Sequence, residues 1–206
     1  MKESRLHEVL TALIDIVWLG LLWLVCSLPV VTLGAASAAL YYSMVKCVRH
    51  ERSRATKAFF QSFRRNFRQG TLLWLLCLGY ALVGLGNVWT FGQMGVKPGD
   101  LLFYVSRFFF VPLPMLLPWI FAFLSRFENS VRATLRFSLY LAVRHFGATL
   151  LLTAELLGFA LLCWLLPQII PLLPGALCLL MSFSLEPPLR ELSRGQGTAE
   201  DWYNEP

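Results

Sequence analysis

Three ionisable side chains sit inside otherwise apolar stretches of this chain: Asp15, Arg107 and Glu155. A charge at mid-membrane costs at least about 2.5–3.5 kcal/mol on insertion scales, so it usually faces a bundle interior or a water-filled cavity. Gathered together, the three would form a polar site for a solute or for protons. Kept apart, each would serve packing or lie at the interface; Asp15 is within two turns of the start of its stretch, where water reaches. No catalytic apparatus accompanies them. GxSxG, HExxH, a phosphate-binding loop and paired His/carboxylate motifs are all missing. His7, His50 and His145 fall in basic stretches, and Cys26, Cys47, Cys77, Cys163 and Cys178 form no CxxC pair. The residues point to no enzyme, no cofactor and no metal. Any energy coupling must come from another chain or an ion gradient.

The elements that would position these charges are membrane spans. Of 206 residues 57% are hydrophobic and 15% charged, with a mean hydropathy of +0.60. A soluble domain carries about 25% charged residues, and a chain of this size cannot bury so much apolar surface in one aqueous core. The spacing predicts an all-α, polytopic helical bundle in a single domain over 1–192, with a polar tail over 193–206. Six spans are expected, at about 9–28, 33–48, 72–91, 101–124, 146–166 and 172–185. Five remain open, as does one long helix in place of the first two spans. The N-terminal stretch lacks a short apolar core followed by a cleavage site, so it reads as a retained span.

Pro29 removes a helix hydrogen bond and should end the first span, with Thr32 as N-cap of the second. That second span opens GAASAA, where Gly34 over Ala38 and Ala35 over Ala39 permit close helix packing in lipid. Pro112, Pro114 and Pro118 interrupt the fourth span and free carbonyls that neighbours must satisfy.

Between spans two and three lie Lys46, Arg49, Arg52, Arg54, Lys57, Arg64, Arg65 and Arg68. Phe59, Phe63 and Phe67 repeat every four residues within this stretch. The pattern predicts an amphipathic helix at the headgroups, or a docking helix in which Phe59, Phe63, Arg64, Arg65 and Phe67 meet a partner. A second basic stretch, 125–145, carries Arg126, Arg132, Arg136 and Arg144, with Val131, Leu135, Leu139 and Val143 stepping by four. Six crossings put sixteen of the eighteen Lys and Arg residues on one side, leaving Lys97 and Arg107. That asymmetry predicts a multi-pass protein of the cell membrane with both termini cytoplasmic. The net charge of +6 comes without any RNA-binding or zinc-finger pattern, so the expected surroundings are a lipid bilayer and no nucleic acid.

Three pieces of the chain resemble the YesL-like family, domain of unknown function 624. They are SLPVVTLGAASAALYY, FFQSFRRNFRQG and LSRFENSVRATLRFSLYLAVRHF. The most specific positions are Pro29, Thr32 and Gly34, then Phe63, Asn66 and Phe67, then Arg126, Phe127, Glu128 and Asn129. The likeness runs from about Ile14 to Leu192. It implies a small bacterial membrane protein encoded beside carbohydrate uptake systems, hence an accessory or regulatory subunit contacting an ABC-type permease or ATPase. It implies no catalytic residues. The alternative is a small stand-alone transporter or channel using Asp15, Arg107 and Glu155. Asn66, Glu128 and Asn129 are expected to cap helix ends. Whether the chain forms a homo-oligomer stays open.

Overall fold

The computed structural model describes residues 2–49, 54–98, 100–127, 129–170 and 173–196; His50, Arg52 and Glu128 lie outside them. All regular structure among the described residues is helical, and five segments are long and apolar enough to cross a bilayer.

Helix α1 (Lys2–Ser27) stops just before Pro29, and a short 3-10 turn (Val30–Thr32) leads into α2 (Leu33–Ser43). The break at Pro29 is where its missing N–H requires one. Thr32 does not cap α2 as expected. Its hydroxyl instead donates back to the carbonyls of Cys26 and Pro29, the latter at 2.7 Å. The last carbonyls of a helix have no partner within it, and here the chain turns so tightly that Thr32 reaches them first. Beyond Ser43 the helix widens into a π-helical turn, Met44–Arg49.

Helix α3 (Ala55–Gln93) is one unbroken helix of 39 residues, about 58 Å at 1.5 Å per residue. The separate interfacial helix expected before a third span is therefore absent. The first half of α3 turns Ala55, Ala58, Phe59, Ser62, Asn66 and Gly70 inward, and α2 lies against it. A Cβ on Gly34 would stand 2.3 Å from the Gly70 carbonyl oxygen and 2.7 Å from Trp74 Cβ. Gly34 and Gly70 therefore touch. Small residues on both helices allow this approach, which in lipid outweighs the reach of any single apolar run. The α1–α2 hairpin consequently lies along the first half of α3, not along its apolar second half.

Helices α4 (Leu101–Phe108) and α5 (Pro112–Arg126) pair with the rest of α3 across the expected proline break. The Phe109 carbonyl freed there accepts the Tyr80 hydroxyl at 2.7 Å. Helix α6 (Val131–Arg144) is N-capped by Ser130, which accepts the Ala133 N–H. Helix α7 (Phe146–Leu165) follows after one residue. Helix α8 (Leu173–Gln196) runs past the predicted end of the sixth span. Its apolar part, 173–185, rises about 20 Å, short of the ~30 Å hydrocarbon layer. The helix continues beyond the start of the polar tail expected at 193, to Gln196, because Leu185 and Leu189 continue the buried stripe.

Candidate functional site: a buried ionic cluster

The three charges that opened the sequence reading are not brought together. Asp15 is half-buried on α1, and no ion pair links it to Arg107 or Glu155 among the described residues. Arg107 is exposed on α4, bonded to its own helix at the Phe103 carbonyl (3.0 Å) and lying 3.5 Å from the Phe103 ring centroid. Glu155 is half-buried on α7, its Oε2 without a hydrogen-bond partner.

Charge collects elsewhere. Glu186, at the end of the apolar part of α8, has a side chain only 1% exposed. Tyr41 of α2 donates its hydroxyl to Glu186 Oε1 at 2.9 Å. Arg126, the last residue of α5 and equally buried, places Nη1 3.4 Å from Oε2. Arg190, one turn further along α8, brings Nε to 3.5 Å of the same oxygen. Four residues from three helices thus meet around one carboxylate. Each is placed by local structure: Tyr41 by the small-residue packing of α2, Arg126 by the end of α5, and Glu186 and Arg190 by i,i+4 spacing.

Nearby, Arg49 ends the π-helical turn and donates to the Ser182 carbonyl at 2.8 Å, with its guanidinium 4.7 Å from the Phe183 ring centroid. π-Turns occur mostly as single widened turns at functional sites, and this one presents both Arg49 and the buried Lys46, whose Nζ donates to Tyr42 Oη at 3.1 Å. Arg49, Glu186, Pro187, Arg190 and Glu191 line a polar cleft of about 270 Å³. On the other side of Tyr41 lies an apolar cavity of about 270 Å³, walled by Trp23, Trp74, Phe121, Phe159 and Met181 among others. Tyr41 lines this cavity and Glu186 the polar cleft, so their hydrogen bond joins the two linings. Chemically the cluster can hold and neutralise charge at the edge of an apolar interior. No group of His, Cys, Asp and Glu suited to a metal is present among the described residues.

The predicted interface helix is partly internal. Phe59 is fully buried, Phe63 half-buried and Phe67 exposed. Arg64 is exposed, and Arg65 donates to the Ser125 carbonyl at 3.0 Å beside the Tyr42 ring. Asn66 does not cap a helix end; it lies buried in the middle of α3 and donates to Ser62 Oγ at 3.2 Å. A short polar side chain on the packed face of a long helix finds its partner one turn back. Asn129 contributes its carbonyl to Gln69 at 2.6 Å, tying α3 to the start of α6, and Phe127 is buried against Phe123. Pro29, Thr32 and Gly34 serve the turn and the α2–α3 contact.

Sequence reasoning missed Glu186 and Arg190 because they follow the last apolar run. Arg126 stood out only as part of a motif and of the second basic stretch. The available signal was PLRELSR after Glu186, where Leu189 and Leu192 continue the helical period.

Residues 16–88 match the family model described as Protein of unknown function, DUF624. The likeness to YesL-like proteins is consistent with that match. The DUF624 region runs from the middle of α1 through the Pro29 turn and α2 into the second half of α3, and it holds Tyr41 and Arg49. Arg126, Glu186 and Arg190 lie outside it. The chain matched no curated protein and no solved structure.

Proposed function

We propose that the chain is a multi-pass protein of the cell membrane, both termini cytoplasmic, that serves as an accessory or regulatory subunit of a carbohydrate importer of the ABC type. One observation carries the reading. Arg54 just before α3, Lys57, Arg64 and Arg68 on it, and Arg132 and Arg136 on α6, are all exposed, and none has an ion-pair partner among the described residues. Solvated cations of this kind contribute little to the chain's own stability. They suit recognition of an acidic face on another chain and guide encounter with it. Solute transport through Asp15, Arg107 and Glu155 has weaker support, because those residues are dispersed over α1, α4 and α7. The carbohydrate link rests on the family likeness. The cytoplasmic side rests on the excess of Lys and Arg at the end where α3 begins and α5 and α8 end.

Purification of the tagged chain from its native membranes in mild detergent tests this. Permease or ATPase chains of a sugar importer should accompany it, and Arg64→Glu/Arg68→Glu should remove them. Solute uptake by the purified chain alone in liposomes would overturn the reading. A reporter fused after Arg54 should be active inside the cell, and one at Lys97 outside it.

A further inference from the structure

We propose that the cleft between Arg49 and Arg190 is a binding site for a phosphate-bearing anion. This goes beyond the accessory role and holds or fails separately from it.

The lining of the cleft contains two carboxylates, and both are already engaged. Glu186 is shared by Tyr41, Arg126 and Arg190. Glu191 is held by Arg144 at 2.6 Å and lies 3.8 Å from His145. The cations are not used up in the same way. Arg49 spends Nη1 on the carbonyl and hydroxyl of Ser182, and its Nε and Nη2 have no protein partner among the described residues. Arg190 faces Glu186 through Nε alone, which leaves its terminal nitrogens for the cleft. A guanidinium is a rigid fork of five N–H donors that matches phosphate oxygens in pairs.

Two arginines, Arg126 and Arg190, therefore share the Glu186 carboxylate, Arg49 lines the same cleft, and the surplus positive charge lies on Arg49 and Arg190. Glu186 in the lining is only 1% exposed, as is its partner Arg126, and charge interactions there are screened less than at an open surface. Both forks are also held in place. Arg49 is pinned by a backbone carbonyl and the Phe183 ring, and Arg190 by its position one turn from Glu186. Such preorganisation reduces the entropy lost on binding. The spread of N–H donors suits the several oxygens of a phosphate group better than a single carboxylate. That phosphate can come from a soluble phosphorylated compound or from a lipid headgroup. Leu180 and Phe183 are exposed on the adjoining part of α8, which brings the cleft next to apolar surface.

The test uses the purified full chain in a zwitterionic detergent. Thermal unfolding is followed against inorganic phosphate, with chloride of equal ionic strength as reference. A second arm compares vesicles of phosphatidylcholine with vesicles containing phosphatidylglycerol. A saturable rise in midpoint is expected in at least one arm, and Arg190→Gln should weaken it by 10-fold or more. Arg190 is 39% exposed, so that variant should fold; Arg49→Gln adds a second check. Arg132→Gln/Arg136→Gln should leave the response unchanged. A response to phosphate alone assigns a soluble ligand, and one to phosphatidylglycerol alone assigns a headgroup. No saturable response in either arm, or one that Arg190→Gln leaves intact, would overturn the site.

Discussion

Helices α2 and α7 are both apolar enough to cross a bilayer, yet they occupy opposite places in the molecule. The segment 30–49 containing α2 is 72% buried within the protein, whereas α7 is only 11% buried. The more apolar helix is the one that faces outward. α7 presents Leu150, Leu151, Leu157, Leu161 and Trp164 to its surroundings, while α2 turns Gly34, Ala35 and Tyr42 to α3 and Tyr41 to Glu186 of α8. In water the reverse would hold. In lipid the acyl chains match a leucine as well as any protein core does, so burial goes to residues that gain something from a protein neighbour. Those are small residues that let backbones close and polar groups that need a partner.

The sharpest way to break this contrast is at the ionic cluster beside α2. Glu186→Ala leaves Arg126 buried without its carboxylate, and loss of one member of such a pair costs about 3–5 kcal/mol. A large fall in the detergent unfolding midpoint is expected. Arg126→Met/Glu186→Leu should recover most of it. A single variant as stable as the parent would remove the cluster from the core of the fold.

Next comes the contact between helices. Gly34→Ala places a methyl 2.3 Å from the Gly70 carbonyl, so α2 must shift off α3. Overpacking of this kind costs about 1–3 kcal/mol, read as a lower midpoint and faster proteolysis at the Pro29 turn. The matching change on α7 has the opposite sign. A Cβ at Gly158 meets nothing within 4 Å, so Gly158→Ala should raise stability by about 0.5–1 kcal/mol through lost backbone entropy in the unfolded chain. Equal effects at Gly34 and Gly158 would erase the distinction between the two helices.

The smallest effect is expected at Glu155 of α7. Glu155→Gln keeps shape and hydrogen-bonding atoms, and no cation among the described residues answers the carboxylate. Assembly and any associated uptake should stay at parental levels, with stability within about 0.5 kcal/mol. A loss of uptake by a normally assembled variant would restore the transporter reading in place of the accessory one.

Much of the fold was legible in the sequence for physical reasons that act locally. Apolar runs mark the spans, Pro29 marks the hairpin, and Pro112 marks the break between α4 and α5. GAASAA announced a tightly packed helix. What escaped was anything set by which faces meet. The arginines between residues 54 and 68 drew attention to the outer face of α3 and to the Phe59/Phe63/Phe67 stripe. The inner face, Ala58, Ser62, Asn66 and Gly70, carries the same small-residue period as α2 but is spread over a polar stretch, so its continuity with the next span was hidden. The three intramembrane charges stood out by hydropathy, but hydropathy says nothing of their mutual distance. Glu186 follows the last apolar run and drew no attention, because its partners lie on α2 and α5, 145 and 60 residues back.

That long separation bears on how the protein is made. Tyr41 leaves the ribosome long before Glu186, and at 5–20 residues per second the delay is on the order of 10 s. Throughout it the phenol of α2 waits, and over the last 60 residues the guanidinium of Arg126 waits too, without the acid that joins them. Helix α8 acts as a latch that closes only after α1 to α7 have been made. A chain ending at Ile170 should therefore reach the membrane but be cleared by quality-control proteases, a pulse-chase outcome that shortening the tail after Gln196 should not reproduce.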